Sequence, residues 1–378
     1  MKKITLFRPY VSWLARFYVL KVLMGTQLAE GPVVKCFEHE FAKRFRKKNV
    51  VAVNSGTSAL ELAYDLAGIG AGDEVITPVL TCTATNLPLV RRGAKIVFAD
   101  INETLNLDIE DVERKITERT KAIVFVHFGG NSSGLGQLLV LARRFNIRVI
   151  EDAAQSVGES GFAWGKADFT CVSLQAIKTL TAGDGGFLIC RDTDDYEKAK
   201  KLRWFGYDRA LKQKLGDTDL TIAGYKYHMN DVNAAIGLGN LRALGYALRK
   251  RRQVRDWYRE EWEAHGLPLS DLRLYPWLVI LVHPRARAVD TLLKRYDIGS
   301  GPYHYRNDKY TIFHRQEGNS HVRDLLPNMH TLQESYTLLP FHHKITRKNV
   351  EQIVRLAKIA MQGNIISNNS FIEHGDKG

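Results

Sequence analysis

The chain has 378 residues, 45% of them hydrophobic, and carries 54 Lys and Arg against 41 Asp and Glu, a formal charge of +13. That length points to two or three domains with full cores and excludes a disordered or low-complexity chain. The positive balance suits anionic partners, yet no zinc-finger or RNA-recognition signature accompanies it, and the uninterrupted apolar runs are too short to span a bilayer.

In chain order, "MKKITLFRPYVSWLARFYVLKVL" begins like a signal peptide. Arg8, Arg16 and Lys21 interrupt its apolar stretch and no small-residue cleavage site follows, so an amphipathic helix docked on the protein body is expected instead of a membrane anchor. The basic runs "FAKRFRKKN" and "LRKRRQVR" both adjoin helix-like segments and read as solvated helix faces.

From about residue 50, short apolar runs alternate with helix-length segments: "VVAV" then "TSALELAYDLAG", "DEVITPV" then "TATNLPLVRRG", "KIVFA" then "DIEDVERKI", and "KAIVFVHF" then "LGQLLVLARRF". This is the pattern of βαβ units, and it predicts an α/β fold with a mostly parallel sheet covered on both faces. Ligands gather at the carboxyl ends of the strands in such folds. A large α/β unit with an N-terminal arm is expected over 1–245 and a smaller α+β unit over 246–363. The Asn- and Ser-rich end, 364–378, reads as a frayed tail. Cys36, Cys82, Cys171 and Cys190 lack metal-ligand spacing, which predicts reduced thiols, no metal site and a cytoplasmic protein.

Three stretches carry chemistry. In "NSGTSALELA", Ser55, Gly56, Thr57 and Ser58 follow a strand and open a helix, which makes either a simple N-cap or an anion site suited to phosphate. In "RVIEDAAQSVG", Asp152 ends a buried strand and needs a donor or cationic partner; a helix cap is the alternative. Its neighbour Glu151 faces the other way and is expected in solvent, while Gln155 can donate into the pocket of Asp152. In "SLQAIKTLTAGDGG", Ser173 can add a hydroxyl to a phosphate cradle. Lys178 lies five residues on, before glycines that let backbone approach a ligand. A lysine beside a phosphate, a ring and a carboxylate can lose its proton and form a Schiff base. Phosphate anchor, amine and facing acid together point to pyridoxal phosphate (PLP).

At these residues the chain resembles the DegT/DnrJ/EryC1/StrS family of sugar aminotransferases, fold-type I PLP enzymes. "GTSAL", "EDAAQ" and the Ser173-to-Lys178 spacing match the family's pattern, and the likeness runs over nearly the whole chain. The resemblance implies a seven-stranded-type sheet and a homodimer with shared active sites. Lys178 would bind the cofactor aldehyde, Asp152 would pair with the pyridine nitrogen and Gln155 would meet the ring hydroxyl. Thr57, Ser58 and Ser173 would hold the phosphate beside Gly56. Lys226, in "GYKYHMNDVNAAIGLGNL", falls in the loop that reaches the partner's phosphate, where many members carry Asn.

Three departures stand out. Cys82 occupies the place of an aromatic ring stacked on the cofactor, Leu174 and Gln175 replace a common Phe-His pair, and "HFGGNSSGLGQL" lacks an acidic residue. Lys178 excludes the dehydrating branch of the family, which carries histidine there. The implied reaction transfers an amino group from glutamate to a nucleotide-linked keto sugar, a 4-keto-6-deoxy sugar above all, for cell-surface polysaccharide or glycoside synthesis. His304, Tyr305 and Arg306 in "DIGSGPYHYRNDKY" are candidates to face that substrate; a buried aromatic pair beside a surface arginine is the alternative. A cyclitol or other carbocyclic ketone is a second substrate class. A non-catalytic regulator that binds nucleic acid is a third reading, disfavoured because Asp152 and Lys178 are both intact.

Overall fold

The computed structural model describes residues 3–158, 164–216, 219–314 and 326–363. Seven strands form the main sheet: β1 (Val50–Val53), β2 (Glu74–Pro78), β3 (Lys95–Ala99), β4 (Thr120–Val126), β5 (Arg148–Asp152), β6 (Phe169–Ser173) and β7 (Gly186–Cys190). Their order is β1-β7-β6-β5-β4-β2-β3. Only β7 runs against its neighbours β1 and β6; every other pair is parallel. Side chains alternate between two cores, with Val51, Val53, Leu188 and Cys190 on one face and Val50, Ala52, Phe187 and Ile189 on the other. Covering both faces is what makes these strands read as unbroken apolar runs.

Helices α1 (Trp13–Leu23), α2 (Pro32–Phe45), α3 (Gly56–Leu66), α4 (Thr83–Arg91), α5 (Ile109–Lys115), α6 (Leu135–Arg144), α7 (Thr193–Leu202), α8 (Arg209–Leu215) and α9 (Asp231–Arg242) accompany this sheet. Several start on side-chain caps that satisfy first-turn amides: Ser55 for α3, Asp108 for α5, Asp192 for α7 and Asn230 for α9.

The long α10 (Leu244–Ala264) leads into a second sheet of antiparallel strands β8 (Leu272–Leu274), β9 (Val279–Val282) and β10 (Tyr336–Leu339). Helices α11 (Ala286–Arg295), α12 (Thr311–His314), α13 (Pro327–Leu332) and α14 (Arg347–Gln362) complete it. Tyr258, Trp262, Val289, Leu293, Ile353 and Ala357 build its core. The apolar core of the main sheet continues through Trp277, Ile280, Tyr336 and Leu338 of this smaller unit. The tail expected to fray lies outside the described residues.

Two expectations need correction here. Arg251, in the basic run read as a solvated face, is buried on α10. It shares a helix face with Val254 and Tyr258, and its guanidinium donates to the carbonyls of Trp277 (2.7 Å) and Phe341 (3.3 Å). Its charge is met by carbonyl dipoles while its stem packs. The N-terminal helix docks as expected, but with apolar residues outside as well as in. Ala15 and Val22 face α9, whereas Trp13, Phe17, Leu20 and Met24 are exposed. Ahead of it the arm runs to the smaller unit, where Ile4 bridges Ile298 and Phe7 stacks on Trp277.

The α1–α9 contact depends on Gly239, where a Cβ would run into the backbone of Ala15. Next to it, Ser12 Oγ donates to the Gly239 carbonyl (2.9 Å) and Ser12 N donates to Asn240 Oδ1 (2.8 Å). Gly239→Ala is therefore expected to cost about 1–3 kcal/mol, the usual penalty for overpacking, and to expose α1 to protease. An unchanged melting curve and digestion pattern would refute this.

Candidate active site

The strands β1, β5 and β6 bring together residues far apart in sequence. At the junction of β1 and α3, Ser55 Oγ accepts from the Ser58 amide (3.0 Å), and the Ser58 hydroxyl donates to Asn54 Oδ1 (2.6 Å). The first-turn amides of Gly56 and Thr57 have no intrahelical acceptor by position. Ser173, at the end of β6, lies against them: a Cβ on Gly56 would sit 2.8 Å from the Ser173 Cβ. Glycine is needed there because two backbones meet, and the result is a concave cluster of amides and hydroxyls at a helix N-terminus.

Asp152 ends β5 and is buried. Its Oδ2 accepts from Thr85 Oγ1 (2.8 Å) and its Oδ1 from the Ala154 amide (3.1 Å). Thr85 is itself fixed: its hydroxyl lies 2.9 Å from Thr81 Oγ1, and its carbonyl accepts from the Tyr64 hydroxyl (2.7 Å). Gln155 Oε1 accepts from the Gly129 amide (2.7 Å), which orients the side chain and leaves its amide nitrogen without a hydrogen bond among the described residues.

Lys178 lies in the loop after β6, with its amine 4.3 Å from the centre of the Trp277 ring. Part of its stem reaches solvent, but protein surrounds the amine. Burial lowers its pKa to about 8, against the upward pull of Asp152 and Cys82. A neutral, nucleophilic amine is thus within reach at ordinary pH. Cys82 is exposed at the start of α4, where its side chain makes no capping bond.

The remaining candidates fall in different settings. Lys226 is exposed, and the backbone of its loop is held at the end of β1, where Asn54 N donates to the Tyr227 carbonyl (2.7 Å). His304 reaches the site: its Nε2 is buried without a hydrogen-bond partner, and burial followed by the nearby Lys178 charge lowers its pKa to about 3. Tyr305 is exposed. The alternative of a surface arginine beside a buried aromatic pair is corrected by Arg306, which is buried and bonds Asp308 with Nε (2.7 Å) and Nη2 (2.6 Å). Of the altered pair after Ser173, Leu174 packs in the core and Gln175 is exposed.

Glu151 was expected in solvent and is instead fully buried. It accepts from the amides of Gly165, Lys166 and Ala167 at 2.8–2.9 Å, and His127 Nε2 lies 2.9 Å away. Burial pushes its pKa up, but the bonds from His127, Ala167 and Gly165 outweigh it and hold the pKa below the usual value. The reason is the covered sheet: alternate residues of β5 both point into protein, leaving no solvent face for Glu151. Sequence reasoning also missed Thr85 and Trp277. The three threonines of "TCTAT" at a strand-to-helix junction were a usable signal for Thr85; Trp277 had none.

A doubly covered parallel sheet with an anion cradle, a buried acid and a desolvated amine at its carboxyl edge is the architecture of the PLP-dependent α/β transferases. The chain belongs to the DegT/DnrJ/EryC1/StrS aminotransferase family, whose profile matches residues 15–358. It is 31% identical over 366 residues to the spore coat polysaccharide biosynthesis protein SpsC of Bacillus subtilis, which covers 91% of this chain and 94% of that one. It is 30% identical over 359 residues to the UDP-4-amino-4-deoxy-L-arabinose–oxoglutarate aminotransferase of Shewanella sediminis, covering 89% and 92%. The crystal structure of the sugar aminotransferase CalS13 from Micromonospora echinospora superposes with a TM-score of 0.85 at 30% identity, over 94% of this chain and 99% of that one.

The chain is thus an aminotransferase, and its cofactor is PLP. The residues present fit that group: a helix N-terminus and hydroxyls for a phosphate, a buried carboxylate, an unspent Gln155 amide and a depressed lysine. Among the described residues no helix is long and apolar enough to cross a membrane, and no cluster of His, Cys, Asp and Glu could hold a metal ion.

Two measurements follow. The apoprotein should be labelled at Lys178 by an aldehyde and borohydride with a midpoint near pH 8, because the amine is neutral above its pKa; a midpoint at the ordinary 10.5 would contradict the burial argument. Thr85→Val should leave Asp152 short of one buried donor, which costs about 1–3 kcal/mol of stability in urea unfolding at neutral pH. Thr85→Ser, which keeps the hydroxyl, should lose less, and equal losses in the two variants would refute the bond's role.

Proposed function

We propose that the chain converts a nucleotide-linked keto sugar, a 4-keto-6-deoxy sugar foremost, to the amino sugar with glutamate as amino donor. The reading rests on one observation above the others: the Lys178 amine is desolvated at the same sheet edge that carries the Asp152 carboxylate and the Gly56–Ser173 cradle. The relatives support the sugar class, since one is named for a UDP-linked amino sugar and oxoglutarate and another for polysaccharide biosynthesis.

When bound, PLP supplies an aldehyde carbon and an electron-withdrawing pyridine ring through which an amino group passes from donor to ketone. The amides of Gly56 and Thr57, with the hydroxyls of Thr57 and Ser173, would hold the phosphate at the positive end of α3; Ser58 would join them by turning its hydroxyl away from Asn54. Asp152, locked by Thr85, would pair with the pyridine nitrogen and keep it protonated. Gln155 would offer its free amide to the ring hydroxyl. Lys178 would hold the aldehyde between turnovers, and its freed amine would take a proton from the donor's α-carbon and deliver that proton to the former aldehyde carbon, a task suited to a pKa near the working pH. Cys82 borders this space and His304 closes it with an uncharged imidazole.

Lys226 serves the phosphate of a second subunit, so the working form is a homodimer with shared sites. The excess of Lys and Arg favours a diphosphate-bearing substrate, and the reaction belongs to the cytoplasm, where nucleotide sugars are made and thiols stay reduced. Tyr305 and Arg306 flank the sugar nucleotide, Arg306 through the loop it stiffens with Asp308.

The test is turnover on a panel of keto-sugar nucleotides and free cyclitol ketones with glutamate, read by mass spectrometry. A nucleotide sugar should be aminated, and Lys178→Ala should lose at least about a hundredfold in rate. Amination of cyclitols alone would transfer the reading to carbocyclic ketones. Salt-sensitive DNA binding without any visible cofactor band would replace it with the regulator.

A further inference from the structure

One wall of the site, at position 82, holds only a small exposed thiol. Other segments bring aromatic rings against it. Leu80 bridges Arg306 in antiparallel register. Asn307 N donates to the Val79 carbonyl (2.7 Å), and Asn307 Nδ2 donates to the Thr81 carbonyl (2.7 Å). The 303–307 segment thus runs alongside residues 79–82, and Tyr303 lies near enough to Cys82 and Asp152 to feel both electrostatically. The Tyr303 ring is gripped from behind, 5.3 Å from Trp277 and 5.2 Å from Phe7, edge to face with both. Phe7 stacks on Trp277 at 5.4 Å, and Trp277 is the ring beneath the Lys178 amine. Burial, then the charges of Cys82 and Asp152, raise the Tyr303 pKa, so the phenol stays neutral beside the Asp152 carboxylate.

We propose that Tyr303, braced by Trp277 and Phe7, is the aromatic wall of the cofactor pocket and fills the place that Cys82 leaves open. The inference rests on the reading of Lys178 and Asp152 as the two poles of the PLP site. An electron-poor pyridinium is attracted to the electron-rich face of a phenol, whereas a thiol offers little area and no such attraction. Tyr303 contacts the cofactor and moves no proton. The brace matters because a ring held on two sides loses little freedom when the cofactor arrives.

The test compares PLP-loaded wild type with Tyr303→Phe and Tyr303→Leu. The readouts are the visible circular dichroism of the bound cofactor and the rate of its release after dilution. Tyr303→Phe should stay close to wild type in both. Tyr303→Leu should lose most of the dichroism and release the cofactor about three- to tenfold faster, and adding Cys82→Trp to it should recover both signals. The proposal is overturned if Tyr303→Leu matches wild type, or if Tyr303→Phe falls as far as Tyr303→Leu, since the hydroxyl and not the ring would then matter. Should Tyr303→Leu fail to fold, Tyr303→Trp decides: its added emission should be quenched on loading, and unquenched emission overturns the idea. Wild type that takes up no PLP at all would instead sink the underlying reading of the site.

Discussion

An ammonium kept from water is the constraint around which this structure is organised. At Lys178 burial favours the neutral amine while Asp152 and Cys82 favour the charged one, and the balance falls near pH 8. Neither influence would survive alone. With burial unopposed, the lysine would be a permanently uncharged core residue; with carboxylate and thiol in open water, it would be an ordinary surface cation. The sheet sets both by ending β5 and β6 at one edge, with α4 and the Trp277 ring closing over them.

The same edge explains why Asp152 tolerates burial. Two donors, Thr85 and the Ala154 amide, meet its oxygens, and the Thr81–Thr85–Tyr64 chain stops the first from turning away. Its neighbour Glu151 solves the problem differently, with three backbone amides and a histidine on the far face of the strand. Adjacent carboxylates on one strand thus hold separate donor sets, and only that of Asp152 opens onto the cradle.

Much of this is legible in the sequence. The alternation of apolar runs with helix-length segments carried the doubly covered sheet, and Ser55, Asp152, Ser173 and Lys178 stood where strands end. What stayed hidden depended on contacts between distant segments. Nothing local in "YPWLVILV" says that Trp277 lies under a lysine a hundred residues earlier. Nothing in "LRKRRQVR" says which arginine finds carbonyls inside the fold, since that depends on the face of α10 turned to β9. Glu151 misled for a related reason: alternation along a strand separates two faces, but it does not say whether the second is wet. Arg306 misled because its acid, Asp308, lies two residues away and folds back on it, a choice set by the packing around them.

The arm that carries Phe7 bears on the order in which contacts close. Phe7 meets Trp277 and Tyr303 across some 270 and more residues of intervening chain. Contacts between segments so far apart form only after a large loss of chain entropy, so the aromatic brace belongs to the last stage of folding, once the main sheet and the smaller unit have gathered.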